Sequence, residues 1–175
     1  MPGFGFGMAA TTLVGQSLGA KKKELAEKYS KQSTFLTLVL MIAASILMYV
    51  FVEPIVHLYT DNPDVIKMAV SALKIFIVIQ PLLGLFMVLA GALKGAGDTK
   101  WVMYFTIIGN WGVRLVFSYF LGLKMGLGLN GFWIAMGIDV SVRAVLILWR
   151  FFSGKWKELD VVNVRERKID ELVEE

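Results

Sequence analysis

Four ionisable residues lie inside otherwise apolar stretches of the sequence: Lys74, Arg114, Asp139 and Arg143. In lipid such a charge costs from about 2.5 to over 10 kcal/mol, so it normally faces protein or a wet cavity and has a partner. Asp139 and Arg143 are four residues apart, on one helix face, and can pair directly, with Arg114 as a further candidate partner. Two interpretations are open. The pair fixes helix packing, or Asp139 binds a coupling cation or faces substrate, and its pairing with Arg143 changes when a proton or drug arrives.

A proline and two uncharged amide side chains also interrupt the apolar stretches. Pro81 lacks an N–H and frees a backbone carbonyl, which either faces a cavity or is compensated by neighbouring helices in a packed kink. The amide of Gln80 beside it can hydrogen-bond a ligand. Asn110 has the same two interpretations, since it can hold two helices together or contact a substrate. Lys74 is expected to extend towards the outer headgroups.

The glycine-rich run over residues 91–100 resembles a phosphate-binding loop only superficially. No strand precedes it, its glycines fit neither phosphate fingerprint, and an apolar stretch follows directly. We interpret it as a tight turn in which glycines supply unusual backbone angles and Asp98 or Thr99 caps the next helix; a direct role in gating is the alternative. The candidate residues of this loop are Gly91, Gly95, Gly97, Asp98 and Thr99.

Enzymatic and metal chemistry have little support in the residue types. The chain has no cysteine, and its one histidine, His57, has no acids near it at ligand spacing. No Ser/His/Asp or Cys/His arrangement stands out, so we expect neither an enzyme nor a cofactor or metal site. The lysines and arginines lie in short loops beside apolar stretches, which argues against nucleic-acid binding despite the net charge of +4.

The elements that must position these residues are membrane helices. Hydrophobic residues make up 57% of the chain and charged residues 18%, whereas soluble domains carry roughly 45–50% and about 25%. Charge-poor runs long enough to cross about 30 Å of hydrocarbon predict an all-α bundle in membrane lipid, residues 1–153, and a charged cytoplasmic tail, residues 154–175. The five predicted spans cover residues 4–18, 34–52, 68–93, 101–121 and 132–152.

Two further predictions concern the glycines at the end of the first span and the basic segment after it. Gly15 and Gly19 are four residues apart, a spacing that predicts close approach of another helix. Residues 21–31 form a basic amphipathic segment, which we expect to lie along the headgroups as a connector.

Loop charges set the orientation of the five spans. Lysine-rich and lysine-poor loops alternate: residues 21–31, 94–100 and 150–157 are rich in Lys and Arg, whereas 53–67 and 124 carry one lysine each. Because cationic loops stay in the cytoplasm, this alternation predicts a multi-pass protein of the plasma membrane with a cytoplasmic C-terminus.

Several stretches resemble one transporter family. The sequence Gly-Ala-Leu-Lys-Gly-Ala-Gly-Asp-Thr-Lys at 91–100 is similar to the glycine-rich signature between the tenth and eleventh helices of MATE (multidrug and toxic compound extrusion) transporters. Residues 13–20 resemble their eighth helix, and residues 110–119 and 131–156 are also similar to the family. The resemblance implies five of the six helices of the C-terminal lobe, the eighth to the twelfth, without the N-terminal lobe.

The resemblance also implies a function. MATE transporters couple entry of H⁺ or Na⁺ to extrusion of amphipathic, often cationic compounds, with the N-terminal lobe as the missing partner of this one. The alternative class is a membrane assembly or scaffold subunit that transports nothing, in which small residues join the helices and the Asp139/Arg143 pair sets register. The residues do not identify the substrate or distinguish H⁺ from Na⁺.

Overall fold

The computed structural model describes residues 2–159, which form five long helices and no strand. The prediction of an all-α bundle is therefore confirmed. The first three helices and the fifth are Pro2–Gly19, Lys23–His57, Pro63–Gly95 and Gly128–Phe152; the fourth covers residues 99–124, and a short 3-10 turn, Lys155–Glu158, follows the fifth.

Each predicted span lies within one helix, but the second helix differs most from its prediction. It begins at Lys23 and continues through Pro54 to His57, whereas the predicted span covers 34–52. The basic segment 21–31 is therefore mostly the first turns of this helix and not a separate connector. At 1.5 Å per residue its 35 residues extend about 50 Å, more than the hydrocarbon thickness of about 30 Å.

Three of the five helices are long and apolar enough to cross a membrane, by length and composition: the second, the third and the fifth. The first helix has 18 residues, among them several glycines and two threonines that lower its hydropathy. The fourth is divided into shorter regular pieces.

The fourth helix alternates between two helix types. It is α-helical over Thr99–Ile107 and Leu115–Phe117 and π-helical over Ile108–Arg114 and Ser118–Lys124. Each π-helical stretch widens the turn and rotates the residues that follow relative to a regular α-helix. The first stretch contains Gly109 and ends at Arg114.

The third helix is the centre of the bundle. It packs against the first, second and fifth helices, and the fourth helix packs mainly against the fifth. The second half of the third helix is buried almost continuously from Gly84 to Leu93. The main core joins Val88 and Leu93 of the third helix to Val14 of the first and Ile147 of the fifth.

Three chain segments meet at one end of the bundle. Asp98, between the third and fourth helices, bonds to Arg150 near the end of the fifth helix. Lys157, after the fifth helix, bonds to Glu27 in the first turns of the second. These are the segments predicted to share the cytoplasmic side; the side itself remains a prediction.

The boundary between bundle and tail lies further along than residue 153. Gly154 turns the chain with φ of 70°, and Trp156 is fully buried, stacked on the Phe151 ring at 5.3 Å. The Trp156 indole N–H donates to the Phe151 carbonyl oxygen at 2.9 Å. Residues 154–158 thus pack on the bundle. The remainder of the predicted tail, residues 160–175, lies outside the described part of the chain.

Candidate functional site

The buried carboxylate of Asp139 is the centre of a charged cluster between the fourth and fifth helices. Its Oδ2 accepts from Nη2 of Arg143 at 2.7 Å and lies 2.8 Å from Nη2 of Arg114. Asp139 is 0% exposed and Arg143 is 7% exposed, while the Arg114 side chain is 37% exposed. The structure therefore brings together the three ionisable residues that the sequence singled out in these two helices.

Two residues that the sequence did not indicate complete the cluster. Gly109 packs so closely that a Cβ there would lie 2.3 Å from Oδ1 of Asp139, so no other residue fits without a shift. The Phe86 ring of the third helix lies 4.9 Å from the Arg143 guanidinium, a cation–π distance. Glycine at 109 makes room for the carboxylate, and Phe86 ties the cluster to the central helix.

The cluster is unbalanced in charge and in hydrogen bonds. One carboxylate faces two guanidinium groups, which leaves a formal charge of +1 on the three side chains. Oδ1 of Asp139 and the Nε atoms of Arg114 and Arg143 are buried and make no hydrogen bond within residues 2–159. The two guanidinium groups repel a further cation at short range and so oppose its binding to Asp139.

A second buried ion pair holds the glycine-rich motif. Asp98 stands at the N-cap position of the fourth helix, but its side chain makes no capping bond. Instead Oδ2 accepts from Nε of Arg150 at 2.7 Å, and the Arg150 guanidinium lies 5.1 Å from the Trp101 ring. The predicted cap by Asp98 is wrong, because the carboxylate is used by the fifth helix. Thr99 is the first residue of the fourth helix, not its cap.

The glycines of this motif have two different roles. Gly97 has φ of +82° and makes the turn, as predicted. Gly91 and Gly95, predicted as turn residues, are instead helical and face the first helix. A Cβ at Gly91 would lie 2.2 Å from the Gly7 carbonyl oxygen, and one at Gly95 would lie 2.3 Å from that of Thr11.

The close contact between the first and third helices also corrects the expectation for Gly15 and Gly19. Gly15 does approach another helix, since its Cβ would lie 3.2 Å from the Gly95 carbonyl oxygen. A Cβ at Gly19 would meet nothing within 4 Å. The small residues in contact are spaced every four from Gly7 through Thr11 to Gly15.

The carbonyl freed by Pro81 finds a donor on the neighbouring helix. Proline at 81 removes the N–H that would bond the Ile77 carbonyl four residues earlier. The Ser45 hydroxyl of the second helix donates to that carbonyl at 3.1 Å. This contact corresponds to the interpretation in which a neighbouring helix compensates for the missing N–H of Pro81.

A cavity of about 150 Å³ lies beside the Ser45–Ile77 hydrogen bond. Gln80 lines it, together with Ser45, three methionines and apolar or small residues; the methionines are Met41, Met48 and Met87. Gln80 is therefore at a cavity wall. Asn110 is half-buried next to Gly109, and its side-chain amide makes no hydrogen bond within the described residues. Their roles in ligand contact stay predictions.

The remaining singled-out groups lie apart from the Asp139 cluster. Nζ of Lys74 bonds to Oε1 of Glu53 at 3.0 Å and lies 5.6 Å from the Tyr49 ring, so it joins the second and third helices. Its expected extension towards the outer headgroups stays a prediction. Within residues 2–159 no group of three or more His, Cys, Asp or Glu side chains is placed to hold a metal ion.

The chain is similar to one family model and to several multidrug resistance proteins. The family model described as MatE matches residues 1–120. A probable multidrug resistance protein NorM of Thermotoga maritima is 35% identical over 167 residues, 95% of this chain and 36% of the relative. The multidrug resistance protein MdtK of Photorhabdus laumondii is 36% identical over 160 residues, 88% of this chain and 35% of the relative.

Solved structures show the same arrangement of helices. An outward-facing multidrug resistance MATE family transporter of the MOP superfamily superposes with a TM-score of 0.83 at 19% identity, over 92% of this chain and 36% of that one. An inward-facing one gives 0.79 at 20% identity, over 84% and 33%. The chain thus spans about a third of the length of these relatives. Since the family model matches 120 of the 175 residues, the chain belongs to the MATE family of membrane transporters.

Proposed function

We propose that this chain forms part of the C-terminal lobe of a multidrug efflux transporter. The observation that carries the proposal is the similarity to the NorM protein of Thermotoga maritima along 95% of the chain. The agreement of the five-helix arrangement with MATE structures supports it. The position of the glycine-rich signature at the end of the third helix and in the turn after it supports assignment of the five helices to the eighth through twelfth of twelve.

In this proposal the chain works with an N-terminal lobe of the same transporter in the plasma membrane, with its C-terminus in the cytoplasm. The alternation of lysine-rich and lysine-poor loops supports this orientation. The transported compounds are amphipathic and often cationic, and H⁺ or Na⁺ drives their extrusion. An outer surface rich in exposed apolar side chains on the second and fourth helices provides the contact with lipid.

We assign Asp139 to helix packing and place cation coupling elsewhere in the transporter. Two guanidinium groups already lie within 2.8 Å of Oδ2, and their positive charge opposes the approach of a coupling cation. Two further acids, Glu53 and Asp98, are also paired, with Lys74 and Arg150 respectively. Asp139→Asn in an active transporter separates the interpretations: altered stability with an unchanged ion dependence of efflux supports packing, whereas a changed ion dependence contradicts it.

The transport proposal is tested in a chimera. The matching 167-residue segment of the Thermotoga maritima relative is replaced by this chain, and ethidium efflux is measured in cells that lack their own efflux pumps. We expect efflux that stops when the proton and sodium gradients are dissipated, and none from either part expressed alone.

Membrane insertion of the chimera is checked by extracting it with detergent and showing that it elutes as a single species in gel filtration. A chimera that inserts and elutes like the relative, but extrudes nothing while the relative is active, contradicts the proposal. That result would favour a membrane assembly or scaffold subunit.

A further inference from the structure

Two adjoining cavities at one end of the bundle are lined by basic residues that the transport proposal does not use. The first, about 300 Å³, has walls formed by Leu18, Lys21, Lys23, Lys157, Glu158 and Leu159. The second, about 660 Å³, has walls formed by Lys21, Lys22, Lys23, Glu24, Leu25 and Lys28. Lys21 and Lys23 belong to both, so the two cavities share one basic ridge.

The two acids in the cavity walls, Glu24 and Glu158, balance only part of the positive charge of the five wall lysines, which are Lys21, Lys22, Lys23, Lys28 and Lys157. Glu27, one turn into the second helix, is already bonded to Lys31 and Lys157. Within residues 2–159, Lys21, Lys23 and Lys28 form no ion pair. The two cavities therefore present several ammonium groups to any anion that enters them.

Lys21 occupies a backbone position at which lysine is strained. Its φ is 59°, in the left-handed region, and it ends the first helix: its N–H donates to the Leu18 carbonyl at 2.8 Å, and that of Lys22 to the Ser17 carbonyl at 2.9 Å. Glycine or asparagine fits such a helix end without this cost.

The basic ridge lies beside the membrane border. Exposed apolar side chains of the second helix begin at Phe35, seven residues after Lys28, which is about 10 Å along a helix. The headgroup layer is about 6 Å thick on each side of the hydrocarbon, and a lysine side chain extends several ångströms towards it. Leu18, Leu25 and Leu159 supply apolar contacts in the same cavity walls.

We propose that Lys21, Lys23 and Lys28 bind the phosphate groups of anionic phospholipid at this end of the bundle. Basic pockets between membrane helices bind such headgroups by charge, and the apolar wall residues accept the start of an acyl chain. Because the two cavities share Lys21 and Lys23, a lipid with two phosphates, such as cardiolipin, occupies both. The inference depends on the chain's own surface and not on transport.

The test is a lipid titration of the purified 175-residue chain followed by native mass spectrometry. Cardiolipin, phosphatidylglycerol and phosphatidylcholine are compared for the wild type and for the double variant Lys21→Asn/Lys23→Gln; asparagine tolerates the backbone at 21. Each lysine is expected to contribute about tenfold or less to the affinity for an anionic lipid. We therefore expect cardiolipin affinity to fall about ten- to thirty-fold in the double variant, with little change for phosphatidylcholine.

The matched control removes the same charge from the opposite end of the bundle. Lys67→Gln/Lys124→Gln replaces one lysine near the start of the third helix and one at the end of the fourth. We expect wild-type cardiolipin affinity in this control. Equal losses in both double variants, or no loss in Lys21→Asn/Lys23→Gln, would overturn the proposal.

A final arm separates a lipid from a free anion. Inorganic phosphate carries the same chemical group without acyl chains, so it is added in excess to the cardiolipin complex. Retention of the lipid supports the membrane source. If inorganic phosphate displaces cardiolipin and binds with the same dependence on Lys21 and Lys23, the site is one for free phosphate and the lipid assignment is wrong.

Discussion

The two sides of the central third helix are held in different ways. Towards the first helix the contact is made by small residues, with Gly91 and Gly95 against backbone carbonyls of Gly7 and Thr11. Towards the fourth and fifth helices the contact includes the buried charged cluster of Asp139. The first side depends on close approach of backbones, and the second on the bonds of one carboxylate to two guanidinium groups. The two sides should therefore fail under different substitutions.

The largest effect is expected on the charged side. Asp139→Asn removes the only negative group of the cluster and leaves two guanidinium groups close together, one of them buried. We expect a loss of about 3 kcal/mol in the free energy of unfolding. Reversible unfolding in mixed micelles measures it.

Substitution of Arg114 tests whether charge balance governs the stability of the Asp139 cluster. Arg114→Gln leaves Asp139 paired with Arg143 alone, a neutral pair, and Arg114 is the more exposed of the two cations. We expect a smaller loss than for Asp139→Asn, since the charge of the cluster becomes balanced. Equal losses for both variants would show that charge balance does not govern this interface.

On the small-residue side, Gly91→Ala places a methyl group 2.2 Å from the Gly7 carbonyl oxygen. We expect destabilisation of about 1–3 kcal/mol by overpacking, although alanine is the better helix former. Gly5→Ala is the control, because a Cβ there meets nothing within 4 Å. Unfolding of the two variants is compared under the same conditions, and equal stability would contradict the close contact.

The hydroxyl that compensates the proline is expected to contribute less. Ser45→Ala leaves the Ile77 carbonyl without its donor, at a cost of about 1 kcal/mol. Ser141→Ala serves as the control, since that hydroxyl bonds only within its own helix, to the Gly137 carbonyl. Thermal unfolding midpoints distinguish the two; a lower midpoint for Ser141→Ala would show that the inter-helix bond has no special importance.

The smallest effect is expected at the end of the bundle, where the segment after the fifth helix bonds to the second helix. Lys157→Gln removes the bond to Glu27, a partly exposed pair that also involves Lys31. We expect a loss of less than about 1 kcal/mol, and one that decreases with added salt. Unfolding measured at low and high salt checks both statements.

The sequence predicted the helices well because lipid demands long apolar segments. It also indicated that Asp139 and Arg143 pair, since a spacing of four fixes neighbours on one helix. It did not indicate Gly109, because the π-helical stretch changes which residues face the fifth helix, and a spacing rule for α-helices does not apply there.

Contacts between distant segments were the main omission. Pro81 identifies Ile77 as the freed carbonyl, but nothing in the linear pattern selects Ser45 as its donor. Likewise, Asp98 was expected to cap its own helix, and its bond to Arg150 depends on where the fifth helix ends. Side-chain partners across the bundle follow from packing, which local patterns do not specify.

The bond from Ser45 to Ile77 has a consequence for synthesis of the protein. The third helix enters the membrane with a carbonyl that its own backbone cannot satisfy, and the donor lies on the second helix. Because the second helix is made first, the donor is already in place when the third helix leaves the insertion machinery. The two helices are thus suited to enter the bilayer as a pair, with the serine acting on its neighbour during biogenesis.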